Sequence, residues 1–239
     1  LLLLKRFEGV PQFDWLEELD KQLYSTSQLG KNVRSVVSFQ HNPYLKGMDK
    51  DYYKLIFDTI VNKEAIELDY HPFGKDVETS IVSPYHLKQY NNRWFLIGKK
   101  NGHDTLTNFA IDRIEGVKEI GRSKYEPLDD EFDFDEFFED VVGVSVKVAP
   151  VEDIVIYANE KAFNYIFTKP LHESQVVKHE LLPDGRREID LKVKDNYELR
   201  ALLRSFGSQI EVIKPASLRE KMRANAEALT SFLSLLCNI

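Results

Sequence analysis

Cysteine is almost missing: Cys237 is the only one in 239 residues. A single thiol closes no internal disulfide, and there is no cysteine cluster to hold zinc. A reducing, cytoplasmic setting is therefore expected. Long apolar runs are missing too. None approaches the ~20 residues that a membrane-spanning helix needs, so no membrane association is expected. The opening Leu1-Leu2-Leu3-Leu4-Lys5-Arg6 is too short for the apolar core of a signal peptide, and its charges follow the leucines. It reads as the end of a helix that begins upstream. With no initiator methionine, the chain is expected to be a piece of a longer protein.

Catalytic signatures are absent as well. The sequence has no G-x-S-x-G elbow, no phosphate-binding glycine loop, no H-E-x-x-H and no dinucleotide fingerprint. His41, His71, His86, His103, His172 and His179 never stand two or four residues apart, so no local metal pair forms. The carboxylates Asp14, Glu17, Glu18 and Asp20 read as one solvated helix face. Cys237, at the end of an apolar helix, reads as a small hydrophobe. These absences predict no enzymatic activity, no metal and no cofactor.

Charge of one sign disappears in two places. Residues 79–103 contain no acid, while Lys88, Arg93, Lys99 and Lys100 lie inside. Residues 126–140 contain no base but carry Glu126, Asp129, Asp130, Glu131, Asp133, Asp135, Glu136, Glu139 and Asp140. The net charge of −7 argues against a coat for non-specific duplex DNA binding. The contrast predicts one basic surface on an acidic protein.

Periodicity organises the rest. Pro11 and an apolar stripe at Phe13, Leu16, Leu19 and Leu23 predict a helix over residues 11–29, stopped by Gly30. Residues 33–39 read as a short strand and 49–62 as a second helix. Short strands follow: Ile66, Leu68 and Tyr70 alternate with polar neighbours, residues 78–83 end at Pro84, and residues 85–90 lead into an Asn91-Asn92 turn. Strands over 93–98, 105–111 and 114–120 complete the set. Several short strands with tight turns predict a small, strongly bent β-barrel. The acidic stretch, with Phe132, Phe134, Phe137 and Phe138, reads as a linker that docks through its aromatics.

Beyond it the order is strand, helix, strand, strand, helix, strand, which is the ferredoxin-like βαββαβ arrangement. A strand is expected over residues 174–182, and Asp195 with Glu198 reads as a capping box for the helix that follows. The fold class is therefore α+β. Residues 1–50 form a helical connector with a short strand, 51–121 a barrel domain with its leading helix, 122–145 the acidic linker, and 146–239 the ferredoxin-like domain.

The informative stretch is residues 83–98, which places aromatics, a histidine, a lysine and an arginine on neighbouring strands. Trp94 and Leu96 face one way, Phe95 and Ile97 the other. Cations beside aromatics suit a nucleotide, since the cation meets the phosphate and the ring stacks on the base. Arg93-Trp94-Phe95-Leu96 resembles the Trp-Tyr-Leu signature of the WYL domain, with Phe95 in place of Tyr. The context agrees: Ile66-Glu67-Leu68-Asp69-Tyr70 resembles that family's first barrel strand, Ser83-Pro84 its proline-bounded strand, and Phe109-Ala110-Ile111-Asp112-Arg113-Ile114 its closing motif. Leu199, Leu202-Leu203, Phe206-Gly207, Val212-Ile213 and Pro215 are similar to the family's C-terminal extension.

The resemblance implies an Sm-like, SH3-like barrel in a bacterial transcription regulator, in which a winged-helix DNA-binding domain precedes the barrel. It implies sensing of a nucleotide or single-stranded nucleic acid, with duplex DNA bound only through the winged helix, which is not visible in this sequence. The candidate ligand residues are Tyr70, His71, Tyr85, His86, Lys88, Arg93 and Arg113, with Trp94, Phe95 and Leu96 as the barrel signature. The sequence departs from the family where Thr107, Asn108 and Ala110 stand in place of frequent arginines, which either argues against an anionic ligand or leaves its charge to Lys88, Arg93 and Arg113. The alternative is an interaction module that forms a homodimer or binds another protein, with no small ligand.

Overall fold

A computed structural model describes residues 50–146 and 149–236. The helix expected over residues 11–29, the strand over 33–39 and Cys237 lie outside the described residues. The chain divides into two units, Leu1–Asp130 and Glu131–Ile239. The architecture is mixed α+β, with antiparallel sheets in both units. No helix among the described residues is long and apolar enough to cross a membrane.

In the first unit, helix α1 (Lys50–Asn62) precedes strands β1 (Ala65–Tyr70), β2 (Glu78–Tyr90), β3 (Arg93–Lys100) and β4 (Leu106–Ala110). A single 3-10 turn, Ile111–Arg113, leads into β5 (Ile114–Gly121). The strand order is β4-β3-β2-β1-β5. Period-two patterning decides what faces inward. Ile66, Leu68 and Tyr70 of β1 are buried, joined by Val82, Leu96, Phe109 and Ile111, with Tyr53 and Ile56 of α1 laid across them. Each such apolar side chain contributes roughly 2 kcal/mol on burial. The hydrogen-bonded sheet is open, with β4 and β5 as its edge strands.

Residues 78–90 were expected as two strands separated at Pro84, but they form one. Its start pairs with β1 through Glu78–Val82, and its remainder pairs with β3. Pro84 is accommodated because the register slips between Pro84 and His86. A bulge tolerates a residue that lacks an N–H donor. Gly98 lies opposite, where an added Cβ would stand 2.7 Å from Val82 Cγ1 and 2.9 Å from the Ser83 carbonyl oxygen. The Asn91-Asn92 hairpin forms as expected, with φ of 49° and 59° at its two central residues.

In the second unit, a short helix α2 (Phe134–Glu139) is capped by Asp133, whose carboxylate accepts from the Asp135 and Glu136 amides. It collects Phe134, Phe137 and Phe138 with Phe132 into one ring cluster. Then come β6 (Val151–Ala158), α3 (Glu160–Thr168), β7 (Val176–Val177), β8 (Arg187–Lys194), α4 (Tyr197–Arg204), β9 (Ile210–Lys214) and α5 (Ala216–Leu236). The sheet order is β7-β8-β6-β9, with antiparallel neighbours. Ile154, Ile156, Leu191 and Val193 pack under Leu199, Leu203 and Leu218.

Two local expectations change here. The strand expected over residues 174–182 shrinks to Val176–Val177. The Ser174 hydroxyl takes both backbone groups of Lys192, accepting from its N–H at 2.9 Å and donating to its carbonyl at 3.0 Å. A side chain thus does what a ladder residue would have done. The cap of α4 is Asn196, one residue later than expected, with its Oδ1 accepting from the Leu199 N–H at 2.8 Å. Asp195 is instead a buried carboxylate held by Arg200 at 2.6 Å and Lys221 at 2.5 Å.

Candidate functional site

The signature strand β3 divides its residues between two faces. Leu96 is fully buried in the core, and Trp94 packs against the same core with its ring edge-on to Tyr53 at 5.2 Å. These two are structural. Phe95 faces the other way, in a cross-strand row with Lys88 of β2 and Ala110 of β4. His86, Ile97 and Asn108 form the adjoining row on that face. His86 and Lys88 are half-buried there.

At the end of β1 the chain builds a different constellation. Tyr70 is the last strand residue, and both its ring and its hydroxyl are buried. The ring stands edge-on to Phe109 at 5.2 Å, and the hydroxyl accepts from the Ala110 N–H at 3.3 Å. Burial pushes the Tyr70 hydroxyl above its ordinary range, partly offset by the Ala110 hydrogen bond and then by the Arg113 charge. The His71 N–H donates to the Arg113 carbonyl at 3.0 Å, which fixes the β1 end beside the 3-10 turn. His71 Nδ1 lies 2.9 Å from Glu115 Oε1.

Arg113, from that turn, directs its guanidinium at two rings. Its central carbon lies 5.2 Å from the Tyr70 ring centre and 4.1 Å from that of Phe73. Phe73 sits in the turn after β1, between Pro72 and Gly74. Gly74 takes φ +68°, a conformation that costs glycine nothing. Arg93 joins through Asp112, whose Oδ2 is 3.2 Å from its Nη2. Together His71, Pro72, Phe73, Asp112, Arg113 and Glu115 line a shallow cleft of about 290 Å³.

The structure thus brings Tyr70, His71 and Arg113 together, with Arg93 linked through Asp112. Tyr85 belongs to another cluster. Its hydroxyl donates to the Glu126 carbonyl, and its ring lies edge-on to Tyr125 at 5.8 Å. Burial pushes its hydroxyl up as well. Ser83 accepts from the Glu126 N–H at 2.9 Å, and Lys99 meets the Glu126 carboxylate at 2.8 Å. This group fastens Tyr125 and Glu126 to β2 and β3, a packing role.

Sequence reasoning missed Phe73, Asp112 and Glu115. A signal existed for the first: a large aromatic in a Pro-x-Gly turn has no strand period to bury it. The basic surface read from residues 79–103 is also altered by pairing. Lys99 meets Glu126, Lys100 meets Glu78 at 2.7 Å, and Arg93 meets Asp112. All three carboxylates come from outside the acid-free stretch.

Two family models match the chain: the WYL domain over residues 51–119 and the WCX domain over residues 145–230. No curated protein matches it in sequence. Among solved structures, it is similar to proteasome accessory factor B/C of Arthrobacter aurescens, at 17% identity and a TM-score of 0.36, over 85% of this chain and 31% of that one. It is also similar to a CRISPR Cas-related protein, at 13% identity and a TM-score of 0.46, over 77% of this chain and 52% of that one. The chain therefore spans about a third to a half of the length of these two proteins.

Proposed function

We propose that this chain, which matches the WYL and WCX domains, is the ligand-sensing, regulatory portion of a bacterial transcription regulator of the WYL-domain family. The first unit binds a nucleotide or a single-stranded nucleic acid, and the whole protein conveys that occupancy to a DNA-binding domain. The observation that carries this reading is the rim of β1. There Arg113 is pressed against two aromatic rings, and Arg93 pairs with the neighbouring Asp112, at the end of a strand in the sheet that bears the family signature.

We read the first unit as an Sm-like barrel, supported by the single long β2 shared between β1 and β3. The second unit reads as ferredoxin-like, supported by its β7-β8-β6-β9 order. The setting is cytoplasmic, with no chemistry at the site. In support of a binding role, the two acids that line the cleft are paired: Glu115 with His71, and Asp112 with Arg93. None of these pairs places a base beside a nucleophile.

The test is a titration of nucleotides and short single-stranded oligonucleotides against wild type, Arg93→Ala and Arg113→Ala. Binding that weakens in the variants supports the site. Unchanged binding in both moves the site elsewhere, and no binding removes this ligand class. A second reading, a homodimerisation or protein-interaction module, draws on Tyr165, Phe167, Val176 and Leu181, which the second unit leaves more than half exposed. Light scattering separates the two, because a monomer that binds nucleotide excludes the second.

A further inference from the structure

Phe73 is 75% exposed. A benzyl group left in water at the tip of a turn contributes nothing to the core. The Arg113 guanidinium lies over the ring, its central carbon 4.1 Å from the ring centre, and most of the ring surface stays open.

The polar groups around it are acceptors more than donors. Glu115 is about half exposed, and His71 engages its Oε1. Asp112 gives Oδ2 to Arg93, while its Oδ1 is buried and accepts no hydrogen bond from the described residues. The opposing cation, Arg113, lies against two rings, and its Nε is buried without an acceptor among the described residues. The accessible acceptor is therefore Glu115, which repels a phosphate but accepts a hydrogen bond from a ring carrying an amino group.

The geometry points to this cleft as a nucleobase subsite, in which an amino-bearing base stacks on Phe73 and donates its exocyclic amino group to Glu115. This inference rests on the ligand-sensing reading above and adds to it which part of the ligand the cleft takes. Phe73 supplies affinity for any base, because every base has a π-face. Glu115 supplies selectivity, because a carboxylate accepts from the amino group of cytosine but repels the carbonyl that thymine presents at the same position.

The experiment measures the affinity of the whole chain for oligo(dC) and oligo(dT) of equal length, in wild type, Phe73→Ala, Phe73→Trp and Glu115→Gln. Both side chains are exposed, and unchanged thermal melting verifies that each variant folds. Wild type is expected to prefer oligo(dC). Phe73→Ala weakens both oligonucleotides by roughly 5- to 150-fold, the range for removing one stacking ring, while Phe73→Trp retains binding. Glu115→Gln removes the preference for oligo(dC), because the amide offers a donor as well as an acceptor.

Oligonucleotide binding that is unchanged in Phe73→Ala, or a preference that survives in Glu115→Gln, overturns the subsite and leaves the ligand-sensing reading standing. Absence of any oligonucleotide binding in wild type overturns the subsite, and the same absence in the nucleotide titration overturns the ligand-sensing reading as well.

Discussion

Replacing Asn196 should be far more costly than losing a helix cap. Asn196 is fully buried and makes three hydrogen bonds through one side chain. Its Oδ1 caps α4 by accepting from the Leu199 N–H at 2.8 Å. Its Nδ2 donates to the carbonyls of Val142 at 2.8 Å and Ser145 at 3.1 Å. Asn196→Ala removes the cap, at about 1 kcal/mol. It also strips two backbone carbonyls of their donor, each worth about 1 kcal/mol when left unpaired in a buried setting. The sum is about 3 kcal/mol.

Asn196→Asp separates the contributions. A carboxylate caps a helix as well as an amide does, but it donates to neither carbonyl and faces both with like polarity. It should therefore destabilise at neutral pH at least as much as Asn196→Ala. Urea unfolding followed by far-ultraviolet circular dichroism measures both, with the shift in midpoint at constant slope giving the change. An Asn196→Asp variant as stable as wild type would refute the reasoning, because capping would then be all that Asn196 does.

Gly98→Ala should destabilise by about 1–3 kcal/mol, since the new Cβ would overlap Val82 and the Ser83 backbone at a place where the chain cannot give way; a wild-type melting temperature would show that the bulge in β2 is softer than argued. The Lys99 hydrogen bond holds the Glu126 carboxyl below its usual range. Its stabilisation is therefore complete above the ordinary carboxylate pKa and is lost as pH falls through the lowered value. In Lys99→Met the Glu126 carboxyl should titrate closer to the ordinary range by NMR, and an unmoved titration would assign the shift to another cause.

Local patterning was legible wherever neighbours in the chain decide the outcome. Asn91-Asn92 sets its own hairpin, because these residues tolerate positive φ. The alternation of Ile66, Leu68 and Tyr70 settles which face of β1 is buried, whereas in β3 both faces are apolar and only the structure turns Trp94 and Leu96 inward. The chain of motifs that resembles the WYL domain is of the same kind, and the two matched family models agree with it.

What was not legible depends on residues far apart in sequence. Pro84 looks like a strand end until β3 lies opposite and a bulge absorbs it. Asp195 resembles a cap until Arg200 and Lys221 arrive to hold it as a buried ion. The acid-free stretch looks like a basic surface until Glu78, Asp112 and Glu126 are folded against it. The rim of β1 is the clearest case. Arg113 is named by a sequence motif, but its contacts with Tyr70 and Phe73 exist only because the turn after β1 and the 3-10 turn before β5 meet at the strand ends. Periodicity and turn chemistry act over a few residues, and the sequence by itself determined what they control: most of the elements, the buried face of β1 and the likeness to the family. Charge pairing and aromatic stacking act across space, so the composition of the cleft was decided by the tertiary structure alone.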